Sequence, residues 1–469
     1  MTPTVAPSAA SAAYRRRVDI LRSQYASLPA GEPVRLSKRT SNLFRPRVPT
    51  TRPGLDVSAF DGVIDIDVEA RTADVQGMTT YEHLVDATLS HGLMPAVVPQ
   101  LKTITLGGAI TGLGIESSSW REGMPHESML ELDILTGDGR VVTARPEGEH
   151  ADLFSGFPNS YGTLGYALRA KIDLQPVEPF VHLRHLRFGS IQELLATLEA
   201  VCAEGTHGGE AVAFVDGVVF GPDECYLTLG SWAASAPEVS DYTWTEIYYR
   251  SLQARSEDWL TTRDYLWRWD TDWFWCSRAF GVQRRWVRRL LGPDRLRSDT
   301  YWKIMALEGR WHVKARLDRW RHLPEREDVI QDVEVPADQL TVFVEGFLRE
   351  VPILPLWLCP LQARRSPVPI AGGPRTWDLY TMDPETLYVN VGFWSSVPVA
   401  PGMDPGHHNR WVEREVDRLG GRKSLYSRAF YGEEQFWLLY NGSAYRKLKS
   451  TYDPDGRLLD LYAKCVAGL

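Results

Sequence analysis

Residues 105–119 read Thr-Leu-Gly-Gly-Ala-Ile-Thr-Gly-Leu-Gly-Ile-Glu-Ser-Ser-Ser, placing Gly107, Gly108, Gly112 and Gly114 within eight positions. Such a run spares the backbone its Cβ atoms. A ligand can then come close, and positive φ lets successive N–H groups face one anion. Thr105, Thr111, Ser117, Ser118 and Ser119 add hydroxyl donors for pyrophosphate oxygens. The same composition also suits a plain turn between strands. It is not the GxGxxG dinucleotide fingerprint, because Gly107 and Gly108 are adjacent and no strand–turn–helix unit frames them.

The surroundings predict an α+β chain. β-like runs at 62–67, 72–77 and 93–98 enclose a helical spacing, Leu84, Val85, Thr88 and Leu89, across 81–91. Runs 129–135 and 140–144 flank Thr136-Gly137-Asp138-Gly139, a hairpin signal, and 166–174 alternates up to Pro176. Helices are expected at 14–25, 191–202 and 433–465, the last broken by a turn at 453–456. Strands are expected within 211–229, 331–335 and 387–393.

The net charge of -8 argues against a general nucleic-acid binder. Cys202, Cys225, Cys276, Cys359 and Cys465 stand far apart, so neither a disulfide framework nor a zinc or other metal site is expected. Residues 1–13 are small and precede Arg15, Arg16 and Arg17, the wrong order for a secretory signal. The most apolar stretch, 351–361, holds Pro352, Pro355 and Pro360 and is shorter than the ~20 residues a spanning helix needs.

A second unusual run, Trp267-Arg268-Trp269-Asp270-Thr271-Asp272-Trp273-Phe274-Trp275, is followed by Arg284-Arg285-Trp286-Val287-Arg288-Arg289. It reads either as a Trp-rich core with a solvated Arg face or as a surface for an anionic membrane. Asp270 and Asp272 sit among tryptophans, where desolvation would raise a carboxyl into the range of a usable acid.

The glycine run and its neighbours resemble the flavin site of the vanillyl-alcohol-oxidase/PCMH superfamily of FAD proteins. The shared motifs are Glu131-Leu132 through Gly139, Asp152-Leu153-Phe154, Gly162-Thr163-Leu164-Gly165 and the strand ending at Pro176. Within it the chain resembles the Δ24-sterol reductase (DIMINUTO/DWARF) family. That likeness rests on residues 114–119, Gln331-Asp332, Trp357-Leu358-Cys359-Pro360, Phe436-Trp437 and residues 442–448. It starts near Val34, so the membrane segment that animal and plant sterol reductases carry at the N-terminus is expected to be missing.

The resemblance implies four parts: a tail and helix (1–30), a two-subdomain PCMH-type FAD-binding domain (31–177), a mixed α/β cap (178–420) with a membrane-facing Trp/Arg segment, and a C-terminal segment (421–469) returning to the flavin. It puts Lys38, Arg39, Thr40, Ser41 and Asn42 at the first pyrophosphate loop, where a basic surface turn is the plainer reading. No His stands there, which implies non-covalent FAD. Residues 105–108, 111, 112 and 114–119, with Thr163, Gly165, Tyr445 and Lys447, are expected around the cofactor. Glu116 would contact ribose, orient the ring or cap a turn. Tyr426 matches a family tyrosine before Phe-Trp and is the first candidate proton donor or orienting group, ahead of Asp270 and Asp272.

The activity implied is NADPH-dependent reduction of an unactivated C=C in a lipid. A relative without an anchor is expected to be bacterial, cytoplasmic and peripheral to the inner membrane face, reducing a methylene-branched acyl chain supplied by a partner methyltransferase. Alternatives are a Δ24-sterol reductase, a superfamily oxidase of an alcohol or sugar lactone, and a non-enzymatic lipid-binding protein. The oligomeric state is left open.

Overall fold

A computed structural model describes residues 9–38, 44–45, 54–311, 324–364 and 376–468, with the backbone alone at 279–280 and 306–311. Among the described residues two antiparallel sheets carry the fold. The first has the strand order Val63–Asp67, Thr72–Gln76, Tyr166–Pro176, Met129–Leu135, Val141–Ala144, with Leu93–Pro95 also paired to Tyr166–Pro176. The expected 129–144 hairpin is there, and Leu132 faces Ala144 across it.

The second sheet runs Glu257–Thr261, Phe180–Phe188, Glu224–Ala233, Phe214–Gly221, Leu356–Leu361, Tyr388–Pro398, Arg326–Pro336, Arg422–Lys423. Helices Ile191–Glu204, Leu340–Glu350 and His407–Arg418 cover one face, over a core that includes Val329, Val333, Val335, Leu356, Leu358, Val389, Val391 and Phe393. Side chains alternate along a strand. Asp332, Glu334, Trp357, Asn390, Gly392 and Trp394 therefore point to the opposite face, and that face looks into the site.

The sequence reading missed several elements, among them the strands Phe180–Phe188 and Glu257–Thr261, and three more bear on the site. Leu356–Leu361 lies inside the proline-punctuated stretch, yet it is a central strand. Pro360 falls beyond Leu358, where pairing with Phe214–Gly221 has ended, so the ladder tolerates it. Leu340–Glu350 buries Leu340, Phe343, Val344 and Phe347, a helical period present in the sequence. His407–Arg418 buries Val412 and Val416 among polar residues, a sparser signal. At the N-terminus the helix Ala9–Ala26 is longer than expected and is held by Tyr14, whose hydroxyl donates to Asp133 Oδ2 at 2.8 Å.

Candidate functional site

A cavity of about 660 Å³ opens between the two sheets, within the range of roughly 300–1,000 Å³ usual for cofactor-sized ligands. At one end stands the glycine run, folded as the short helix Leu106–Gly112. Thr105 caps it, its Oγ1 accepting from Gly108 N at 3.2 Å, and Thr111 Oγ1 donates to Gly107 O at 2.8 Å.

None of the four glycines takes positive φ; Leu113 does instead, at 62°. Close packing explains them. A Cβ on Gly107 would stand 2.8 Å from Gly77 O, and one on Gly112 would stand 3.2 Å from the Tyr161 ring. The left-handed residues lie in the facing turn, at Asn159, Tyr161, Gly162 and Gly165.

Thr105, Gly107, Gly108, Thr111, Gly112, Gly114, Ile115, Gly165 and Lys38 line the cavity. Arg39, Thr40, Ser41 and Asn42 lie outside the described residues. The other expected ligand residues have turned inward or outward. Leu106 is core. Ser117 Oγ donates to Glu116, Ser118 Oγ donates to Ala96 O, and Ser119 Oγ accepts from Glu116 N, so the three hydroxyls fasten the loop to the protein. Thr163 Oγ1 donates to Ser160 O within its turn. Tyr445 is buried against Trp437 at 4.9 Å and Lys447 is exposed, neither lining the cavity. The C-terminal segment does return, through Ser424, Tyr426, Leu459 and Lys464, whose Nζ donates to Tyr161 O at 2.7 Å.

Aromatic side chains form another part of the lining. Trp273, Phe274 and Trp275 hold three consecutive left-handed φ values of 57°, 50° and 56°, a conformation rare for bulky residues. It aims Trp273 and Phe274 into the cavity, where Phe274 meets Trp394 at 4.8 Å and Trp357 at 5.5 Å. Asp272 pins this turn, its Oδ1 accepting from Trp275 N at 2.6 Å. Burial lifts Asp272 to about 7, in the direction the sequence suggested. Asp270 accepts from Lys102 N at 3.0 Å and from Ser298 Oγ at 2.5 Å. Neither carboxyl lines the cavity, so both shape the wall and neither can reach a ligand's carbon. Trp267, Trp269, Trp273 and Trp275 are buried, which corrects the expectation that they face a membrane. Trp273 is cavity wall and the other three are core, Trp269 stacking on Phe274 at 4.8 Å.

Tyr426 does line the cavity. Trp394 Nε1 donates to its oxygen at 2.8 Å, and Asp332 lies within hydrogen-bonding reach of the phenol. Sequence reasoning matched Gln331-Asp332 to a family motif without giving Asp332 a role. Strand register supplies one: Asp332 stands opposite Gly392, which in turn stands opposite Trp357. A Cβ on Gly392 would come within 2.6 Å of both Asp332 Oδ1 and the Trp394 ring, so this glycine makes the room they share. Burial pushes Asp332 up to about 6, against the hydrogen bond from Asn390 Nδ2 at 3.1 Å. Glu334, two residues on, is pushed up to about 8 by burial and by the Asp332 charge; it bonds Tyr380 and accepts from Ser424 Oγ at 3.1 Å. Burial and the Asp332 charge together hold the Tyr426 phenol well above its ordinary value, so it stays protonated at neutral pH.

Glu116 joins the two halves. Its Oε1 meets Arg268 Nη2 at 3.2 Å, and the same Nη2 meets Asp216 Oδ2 at 3.0 Å, all three side chains being buried. Trp357 Nε1 donates to Asp216 at 3.2 Å. One ion cluster thus links the glycine loop, the tryptophan run and the second sheet.

Residues 28–145 match the family model described as an FAD binding domain. The Δ24-sterol reductase of Arabidopsis thaliana is 26% identical, over 88% of this chain and 76% of the relative. That of Homo sapiens is 26% identical over 88% and 78%. Cytokinin dehydrogenase 2 of Oryza sativa subsp. japonica is 30% identical over 33% of this chain and 28% of its own. The chain carries an FAD binding domain in a two-subdomain PCMH-type fold and resembles the Δ24-sterol reductases along most of its length. The cavity fits the cofactor: glycines admit it closely at one end, and Arg35, Lys38, Arg45 and Lys464 line the walls with charge that suits a diphosphate. Among the described residues no helix is long and apolar enough to cross a membrane, and no cluster of three metal-ligating side chains occurs.

Proposed function

We propose that this FAD-binding protein is a reductase that uses NADPH to saturate an unactivated C=C in a lipid, the lipid being a phospholipid with a methylene-branched acyl chain, of the 10-methylene to 10-methyl stearoyl type. One observation carries this reading. The aromatic part of the cavity lining holds a phenol, Tyr426, backed by Asp332. An isolated alkene accepts hydride only if a proton arrives with it, so the site needs an acid in apolar surroundings.

When bound, FAD supplies the hydride for one alkene carbon, NADPH being the donor that reloads it. The proton goes to the other, less substituted carbon, and Tyr426 Oη holds it. Positive charge then develops on the branched carbon between the faces of Phe274, Trp357 and Trp394, where a cation gains about 0.5–2 kcal/mol. As the proton leaves, Trp394 Nε1–H steadies the phenol oxygen. A protonated Asp332 donates to the same oxygen and makes good the loss; an ionised Asp332 accepts the phenol proton and withholds it. The net change is one hydride and one proton added across C=C, with NADPH oxidised.

On this reading the protein works in the cytoplasm, peripheral to the inner membrane face, downstream of a methyltransferase that installs the methylene carbon. A second reading, Δ24-sterol reduction, is favoured by the similarity to sterol reductases over 88% of the chain. Both alkenes are branched and use the same acid. Deuterium separates the steps: in heavy water the label should enter the less substituted carbon, and from hydride-labelled NADPH the branched one. Product from the sterol alone would move the assignment to the second reading; none from either lipid would end both.

A further inference from the structure

The arginine half of the Trp/Arg segment behaves differently from the tryptophan half. On the helix Arg285–Leu291, Trp286 is 63% and Leu290 is 75% exposed, one turn apart on the same face. Trp244, 42% exposed, is tied to the same helix, its Nε1 donating to Arg288 O at 3.1 Å. Arg284 precedes this helix, Arg289 stands next to Leu290 on it, and Arg295 lies in the turn that follows; all three are exposed and have no ion pair among the described residues, although the chain carries a net charge of -8. Of the neighbouring acids, Glu246 is engaged by Arg285 at 2.5 Å, and Asp294 is exposed beside Arg295.

The helix is also anchored. Arg288 is fully buried, donating through Nε to Trp244 O at 2.5 Å and through Nη1 to Thr271 O at 3.3 Å. Thr271 is two residues from Trp273, and the helix lies between Cys276 and Tyr301 in sequence, all three of which line the cavity. The exposed face is therefore fixed to the cavity wall.

We propose that Trp286, Leu290 and Trp244, with the exposed Arg284, Arg289 and Arg295 of the same stretch, form a docking surface for an anionic phospholipid bilayer. An indole and an aliphatic side chain standing out of a basic surface suit the interface, where Trp settles at headgroup depth and each nearby arginine is drawn to the anionic leaflet. The purpose rests on the lipid reading of the cavity; the binding does not.

The test uses flavin-loaded full-length protein in flotation with vesicles of phosphatidylcholine, with and without phosphatidylglycerol. Wild type should float with the anionic vesicles, its affinity falling on the order of a hundredfold on pure phosphatidylcholine. Arg284→Gln/Arg289→Gln should lose that preference, and Trp286→Ser/Leu290→Ser should lose flotation. Both variants should keep flavin and turnover of detergent-dispersed substrate. Variants that float like wild type would overturn the proposal, as would wild type that ignores anionic vesicles. So would variants that change only the molecular mass in solution, since the face would then join two copies of the chain. Loss of alkene reduction with flotation intact would instead count against the reductase reading alone.

Discussion

Replacing Asp332 with asparagine keeps the shape and the hydrogen bond from Asn390 but removes the exchangeable proton. With Asp332 titrating at about 6, half of the wild type carries that proton at pH 6 and about one part in a hundred at pH 8. The alkene-driven oxidation of reduced flavin should therefore slow by about fiftyfold over that interval. In Asp332→Asn the rate should be low and its pH slope absent, while reduction of the flavin by NADPH is unchanged. On stability the substitution acts the opposite way. An acid whose folded value is raised withdraws stability as pH climbs from its ordinary value to the folded one. Going from 3.8 to about 6 amounts to about 3 kcal/mol, withdrawn progressively between pH 4 and pH 6 and fully absent at pH 8. A neutral asparagine escapes that cost, so the variant should melt at or above the wild-type temperature at pH 8. Stopped-flow oxidation at several pH values, with melting curves alongside, reads both. A wild-type rate that is flat from pH 6 to 8, or a variant that keeps the slope, refutes the reasoning.

Tyr426→Phe should keep flavin and NADPH-driven reduction but lower alkene-driven oxidation by about 10²–10⁴-fold, the usual worth of a positioned acid; unchanged single-turnover rates would remove it from the chemistry. Gly107→Ala places a Cβ 2.8 Å from a backbone carbonyl, so the protein should purify with less flavin by its visible absorbance; full occupancy would show that the cradle yields. Arg268→Met leaves Glu116 and Asp216 buried without their cation, and should cost about 3–5 kcal/mol in denaturant unfolding. A loss under 1 kcal/mol would mean that water reaches the cluster.

The sequence located the cofactor end better than the chemistry. Gly107 and Gly112 stood out as a cradle, although their reason is packing against Gly77 and Tyr161 and not left-handed turns. The hydroxyls of Ser117, Ser118 and Ser119 look the same in sequence whether they face a diphosphate or, as found, their own loop. Tyr426 was legible through a family motif. Its partners Asp332, Gly392 and Trp394 come from separate strands, and only register brings them together. The tryptophan run carried two opposite roles on one composition: the tryptophans of 267–275 turn inward, the last two on left-handed backbones, and Trp286 and Leu290 turn out. Composition contains neither the φ values nor the burial of Arg288 that separates them.

The central claim is that one cavity takes hydride from NADPH and delivers it to a branched lipid alkene with a proton from Tyr426. Bleaching the flavin anaerobically with NADPH, then adding methylene-acyl phospholipid and a Δ24 sterol in separate syringes, tests it most directly. The flavin absorbance should bleach with NADPH and return with the methylene lipid, in proportion to saturated product. Flavin that stays bleached with both lipids but returns at once in air would contradict it and mark the protein as an oxidase.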